Sequence, residues 1–424
     1  MNYNSGDTAW IIVAAAMVLL MTPGLAFFYG GMVRSKNVLG MLAQNFVAMG
    51  VASVLWVLGV YSFAFSGTGK WFGDFHQFGL AHIWQQATGF EALTIPPLVF
   101  CAFQLMFAII TPALITGASA DRLKFGAWVI FTALWLFIVY APIAHWVFSP
   151  SGWLFKLGAL DFAGGTVVHA NAGAAALALI LVIGKRKGWP KERMRPHNVP
   201  FVLLGTGLLW FGWFGFNAGS ALSANTTSAF AFVNTNTATG AALLAWMLTE
   251  KIRDGHATTL GAASGAVAGL VAITPACGFV SPVGSLVIGF VAGSVCALAT
   301  GLKIKFGFDD ALDVVGVHLV GGVVGALLIG LLSTTKTNSA GINGLFYGGG
   351  WTLLGHQTVA VVAVIAYSFI ATYVLALILE KTIGLRVSES DEAAGLDLSQ
   401  HAETAYETSS YSDGSRFTSN FLKN

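Results

Sequence analysis

Runs of apolar residues alternate along the chain with short polar connections. A bilayer core about 30 Å thick needs about 20 apolar residues in helical form. Eleven stretches meet that length, at roughly 9–31, 40–65, 95–119, 125–148, 163–184, 199–222, 227–249, 258–276, 281–302, 311–334 and 356–380. The pattern therefore predicts an all-α integral membrane protein with eleven transmembrane helices. From Ser388 to Asn424 the character changes, with Ser, Thr, Asp and Glu prominent and few branched apolar residues. The chain divides into a membrane domain, 1–387, and a cytoplasmic tail, 388–424. The tail is either a disordered end or a segment that docks on the inner loops.

Composition agrees. The 424 residues are 56% hydrophobic and 9% charged, where a soluble domain carries roughly 25% charge. Fifty-one glycines suit helices that pack backbone to backbone in lipid. The three cysteines, Cys101, Cys277 and Cys296, lie far apart in or beside apolar runs and read as small buried hydrophobes. No basic run is interleaved with aromatics, which argues against a nucleic-acid partner. The residues before Thr8 hold no Lys or Arg, so 9–31 reads as a retained span rather than a secretory signal.

Charge placement sets the expected orientation. Alternate connections hold Arg34 and Lys36, Arg122 and Lys124, the group from Lys185 to Arg195, Lys251 and Arg253, and Lys303 and Lys305; the others hold only Lys70, Lys156 and Lys336. By the positive-inside rule the N-terminus is outside and the C-terminus cytoplasmic, in a cell membrane. Five spans per repeat is an odd number, so spans one to five and six to ten would be inverted repeats followed by a final helix. Such repeats place a transport site at their interface near the bilayer midplane.

The polar residues inside the spans point to that interface. Asp161 precedes His169 by the same interval as Asp310 precedes His318. Each histidine lies about 12 Å beyond its acid at the helical rise, and the two enter from opposite faces. Ionisable groups at that depth are costly and mark functional sites. Of the nine histidines, only these two fall well inside apolar stretches. A haem bound between them or a metal is the competing chemistry, but no Cys, Asp or Glu joins them at a ligand spacing. No cofactor and no metal are expected. As helix N-caps, Asp161 and Asp313 would need no function at all. Pro23, Pro112, Pro142 and Pro275 interrupt spans, either as kinks or where a cavity satisfies the freed carbonyls. The run from Leu209 to Ser220 is rich in aromatics and offers either packing or a cation–π face.

At these residues the chain resembles the ammonium transporters of the Amt/MEP/Rh family over nearly its full length. The matching motifs are Pro23 to Gly31 followed by Arg34 and Lys36 to Val38, Asp161 to His169, Trp213 to Ser220, and Asp313 with Gly316-Val317-His318. The resemblance implies the eleven-helix inverted-repeat fold, a homotrimer with a pore within each subunit, and no enzymatic activity. It implies pore histidines at His169 and His318, a phenylalanine gate at Phe107 and Phe216, and ammonium recruitment by Phe107, Phe148, Ser220 and Asp161. Phe107 favours the Amt branch. Phe148 stands where the family commonly has Trp, so Trp146 or Trp153 becomes a possible accessory, as does Asp313. In the tail, Gly384 to Val387, Gly395 to Asp397 and His401 to Tyr406 are similar to the family's, with Ala402 where Gly is usual. That similarity implies tail docking and a PII-type signalling partner on the cytoplasmic face. The implied sequence of events is NH4+ recruitment, deprotonation, passage of NH3 past the histidines with or without a separately relayed proton, and reprotonation inside. The alternative is an ammonium sensor on the same fold.

Overall fold

The computed structural model describes residues 3–87, 89–192 and 194–406; the tail beyond Tyr406 lies outside them. Each of the eleven expected stretches is helical: α1 (Ser5–Met32), α2 (Ser35–Phe65), α3 (Pro97–Ile115), α4 (Phe125–Leu157, interrupted at 149–152), α5 (Gly165–Ile183), α6 (Val199–Gly219), α7 (Thr226–Asp254), α8 (Thr259–Ile273), α9 (Pro282–Phe306), α10 (Val315–Leu332) and α11 (Thr352–Thr382). Among the described residues, nine of these helices are long and apolar enough to cross a membrane. The other two are α7, which carries Asn234, Thr235, Asn236, Thr237 and Thr239 in its middle, and α8, with only 15 residues. Among the described residues no β-strand occurs, only two isolated bridges, Leu123 with Arg386 and Val280 with Ser333.

Glycine spacing decides how the helices pack, because lipid offers no hydrophobic drive between them. Helix α1 lies along α6. A Cβ on Gly24 or Gly31 would strike α6 or its N-cap, and one on Gly205, Gly212 or Gly215 would strike α1. A second seam joins α7, α8 and α9, where Gly269, Gly289 and Gly293 face Ala238 and Ala242. The centre is the crossing of α5 and α10, and it is reciprocal. Gly173, four residues after His169, rests on the backbone of Leu319; Gly322, four residues after His318, rests on the backbone N of Ala170. The entries to the two helices are tied in the same crossed way. The Phe162 N–H donates to the Pro275 carbonyl at 3.0 Å just past α8, and the Ala311 N–H donates to the Ala118 carbonyl at 3.2 Å just past α3. Two inversely oriented repeats meeting face to face have this symmetry.

One end of the bundle gathers the basic connections. Arg186 pairs with Asp309 at 2.8 Å and reaches Asp121 at 3.7 Å, Arg34 pairs with Asp121 at 3.1 Å, and Arg122 donates to the carbonyls of Gly184 and Asp309. Burial alone would raise the Asp309 carboxyl, but Arg186 and Arg122 hold it below its ordinary range. The described tail lies on this end as two short helices, α12 (Glu389–Ala394) and α13 (Leu396–His401). Glu392 accepts from Arg386 and from the Lys187 N–H, each at 2.7 Å. Asp397 accepts from the Gly40 N–H at 2.8 Å. At the opposite end, the N-terminal Asn4 and Asp7 bond to Thr94, and the Trp153 N–H donates to the Lys70 carbonyl.

Candidate functional site

A single carboxylate builds the mouth of α5. Asp161 Oδ1 accepts the N–H groups of Gly164 and Gly165 at 2.8 and 2.7 Å; Oδ2 accepts the N–H groups of Thr166 and Val167 and the Thr166 hydroxyl. These are the orphan donors of a helix start, and a negative charge suits the dipole there. Gly164, at φ +114°, turns the chain into the helix. The first turn, Gly165–Ala170, is π-helical, a widened turn frequent at functional sites, and it carries His169. Helix α10 repeats the design. Its π-helical turn Val315–Leu319 carries His318, and its cap is Asp310, which accepts the N–H groups of Val314 and Val315 at 3.1 and 2.7 Å. Burial and the nearby Asp313 push the Asp310 carboxyl up to about 6. Asp313 itself points elsewhere, to Lys303 at 2.7 Å, and does not reach the histidines.

The two histidines meet. Their Nδ1 atoms are 3.3 Å apart, and both rings are almost fully buried. A hydrogen bond between two Nδ1 atoms needs one protonated and one bare nitrogen. If both rings are neutral, the Nε2 atoms then differ, one an acceptor and the other a donor. His169 Nε2 has no partner. His169 stacks on Trp213 at 5.3 Å and on Phe216 at 6.0 Å between ring centres. Trp213 is held by its indole N–H, which donates to Thr274 Oγ1 at 2.8 Å.

Beyond Phe216 the path is closed by Phe107, whose ring centre lies 4.5 Å from that of Phe216; both rings are buried. Outside this pair opens a cavity of about 380 Å³. Phe107, Phe148, Ser220 and Asp161 all line it, together with Phe65, Phe90, Phe100, Phe155, Phe162 and Phe279. Phe148 stands 6.3 Å from Phe107 in an edge-on arrangement. Ser220 donates its hydroxyl proton to the Phe216 carbonyl at 2.8 Å, which leaves its oxygen lone pairs to face a donor. Asp161 contributes charge rather than a free ligand atom, since both its oxygens already accept from the helix start.

Trp146 and Trp153 are not brought to this cavity. Trp146 donates to the Trp71 carbonyl at 2.6 Å and packs on Tyr367, while Trp153 packs on Trp71 and Trp146. Two positions read in the sequence without a site role, Asp310 and Trp213, and one not read there at all, Gln357, also shape the site. Asp310 caps the second histidine helix, Trp213 backs the first histidine, and buried Gln357 of α11 clamps the approach to Asp161. Gln357 accepts the Leu160 N–H at 2.7 Å and donates to the carbonyls of Leu160 and Ala326 at 2.8 and 2.9 Å. The repeated Asp…His interval points to Asp310 in the sequence, but the capping role expected of Asp313 falls to Asp310. Among the described residues no group of three His, Cys, Asp or Glu side chains could hold a metal, so the histidine pair offers two nitrogens and no third ligand.

Residues 9–406 match the model of the Ammonium Transporter Family. The chain belongs to that family. An ammonium transporter of Mycobacterium tuberculosis is 56% identical over 95% of this chain and 91% of the relative. Among solved structures, Mep2 of Candida albicans superposes with a TM-score of 0.86 at 36% identity, over 92% of this chain and 88% of that one. A protein described as a sensor Amt protein superposes at 0.84 with 30% identity, over 93% of this chain and 97% of that one. Family membership makes the chain a multi-pass helical membrane transporter rather than an enzyme. The resemblance seen in the motifs is thereby established across almost all of the described chain.

Proposed function

We propose that the protein moves ammonium across the cell membrane through a path within each subunit. The observation that carries this reading is the buried histidine pair lying behind an aromatic constriction and below an aromatic cavity. An intact cation would lose its hydration in such a bore at large cost. In this scheme NH4+ settles in the cavity against Phe107 and Phe148, with one N–H to Ser220 and the negative field of Asp161 beneath it. It gives up a proton at the Phe107–Phe216 constriction, and NH3 passes the histidines. There one Nε2 accepts from NH3 and the other donates to it. The neutral molecule, itself donor and acceptor, fits a neutral pair better than it would fit two cations.

The test is a concentration jump on the purified protein in liposomes. A step in ammonium chloride is expected to give a saturable current or pH change, while equal steps in potassium chloride or sodium chloride give none. An unselective response, or no response, would remove the transport reading. A sensor reading is favoured only by the likeness to the sensor Amt protein; a folded protein that binds ammonium in this assay without moving it would support that alternative.

The outer cavity invites a substitution. Indole is a better cation–π face than phenyl, and among the aromatics of α4, Phe148 is the one packed against Phe107. Phe148→Trp is expected to lower the half-saturating ammonium concentration two- to fivefold, from about 0.5–1 kcal/mol of added cation–π attraction. An unchanged value would mean that the surrounding phenylalanines already saturate the cation's faces.

We extend the proposal to assembly and orientation. On α7, Asn236 is exposed at mid-helix among exposed Phe232, Val233 and Leu244. An amide facing lipid at that depth is costly, and the polar helix α7 is better covered by further copies in a homotrimer. Basic connections, the docked tail and Glu392 on one end support a cytoplasmic C-terminus, an external N-terminus and a PII-type partner on the cytoplasmic face.

A further inference from the structure

Gln104 sits on α3 one turn before Phe107 and one turn after Phe100, and all three line the outer cavity. The residue is buried, at 8% exposure. Its amide oxygen is buried without a hydrogen-bond partner, and no side-chain hydrogen bond of this residue occurs. Other buried amide oxygens, such as those of Asn45, Asn171 and Asn234, also lack a partner, but their amide nitrogens are held by carbonyls and none of them lines the cavity. Among the described residues lining the cavity, Gln104 alone has a buried polar side-chain atom left unpaired. An unpaired buried amide costs free energy. Here the cost falls at the wall of a cavity rather than inside a packed core.

The acceptors around that cavity are few. Asp161 has both oxygens engaged by the start of α5, and Ser220 offers one hydroxyl oxygen. The remaining lining is mostly phenylalanine and aliphatic, with Asn338, whose amide oxygen already accepts from the Ala340 N–H. Ammonium carries four N–H donors, more than one hydroxyl can serve. An amide oxygen accepts two hydrogen bonds, and rotation of the amide by a half turn is enough to present it to the cavity. We propose that Gln104 is a further ammonium ligand. Its carbonyl oxygen takes an N–H of the cation in the outer cavity that Phe107 also lines, and so reads the number of N–H groups that the cation carries. The assignment rests on the ammonium-transport reading above. It deepens that reading from a cation held by aromatic faces to one counted by hydrogen bonds.

The test uses the full-length protein in liposomes and two probes, ammonium chloride and methylammonium chloride. Gln104→Leu keeps the size of the side chain and removes the acceptor. A hydrogen bond to a charged group sets the scale, so the half-saturating ammonium concentration is expected to rise about tenfold. Methylammonium, with one donor fewer, is expected to lose less, so the preference for ammonium over methylammonium narrows. Gln104→Glu keeps an acceptor and is expected to leave ammonium half-saturation at or below the wild-type value. Half-saturation does not depend on how much protein folds, so a lower yield of either variant leaves the readout intact. An unchanged half-saturation in Gln104→Leu overturns the assignment while the transport reading stands. Equal losses for both probes in Gln104→Leu, with no rescue in Gln104→Glu, also overturn it and make Gln104 a packing residue. Absence of any wild-type response removes the transport reading and this ligand with it.

Discussion

Ammonium-dependent current is expected to fall at least thirtyfold when either His169 or His318 is replaced by alanine. Each substitution removes one half of the Nδ1–Nδ1 contact and leaves the other ring with a buried nitrogen unpaired. NH3 entering that bore would then meet the faces of Trp213 and Phe216 and lose one of its two hydrogen-bond partners. Leaving a buried polar group uncompensated costs about 2 kcal/mol or more, which is about thirtyfold in rate at 1.4 kcal/mol per decade. The measurement is current in liposomes beside ammonium-dependent growth of cells carrying each variant. Wild-type transport in both would strip the pair of the role proposed for it. A current that survives but admits potassium would have another meaning: the vacated space fills with water and the barrier to hydrated cations is gone.

Loss of the Asp161 charge is expected to be nearly as severe, and to show in stability as well as transport. Five donors converge on its two oxygens. Asp161→Ala leaves them all without that partner, and an N-cap alone is worth about 0.5–2 kcal/mol. Asp161→Asn keeps one acceptor but turns an amide N–H toward backbone donors, which is worse than neutral. Both variants are expected to melt several degrees lower and to lose ammonium current at the concentrations that saturate the wild type. Burial pushes the Asp161 carboxyl above its ordinary range, and the bonds from Thr166, Gly164 and Gly165 pull it back. Thermal unfolding and dose–response curves on one preparation would separate the two losses. Unchanged melting with unchanged transport would leave Asp161 without either role.

Much of the architecture was legible because lipid imposes it. A backbone that must satisfy its own hydrogen bonds in lipid writes long apolar runs into the sequence, and every such run is helical here. The misplaced ends have local causes. Helix α8 stops at Ile273 rather than near 276 because Pro275 follows and its carbonyl is taken by Phe162. Helix α7 runs to Asp254, five residues past the expected end, as Glu250, Lys251 and Arg253 continue it into the polar end of the bundle. The histidine interval was visible; the identity of the second cap was ambiguous, because Asp310 and Asp313 are only three residues apart. Backbone conformation separates them, with Asp313 at φ +62° and tied to Lys303. Trp146 was a reasonable candidate for the cavity by position, but its indole N–H is committed to Trp71. Gln357 was illegible for a different reason. Its partner Leu160 lies 197 residues away, and no local pattern records so distant a bond.

The crossed contacts of Gly173 and Gly322 bear on how turnover can proceed. Each glycine carries the backbone of the opposite helix at a distance that no larger residue would permit, so the two central helices are locked at the depth of the histidines. Sliding or tilting one past the other would collide main chain with main chain. A carrier that exposes its site to one side and then the other needs its halves to rock about such a crossing, and this crossing has no slack for it. On the proposed reading, the substrate therefore threads a stationary path, in which side chains such as Phe107 and Phe216 are expected to swing. Net direction then comes from the gradients on either side, and the temperature dependence of flux should resemble ring rotation and proton exchange rather than rigid-body domain movement.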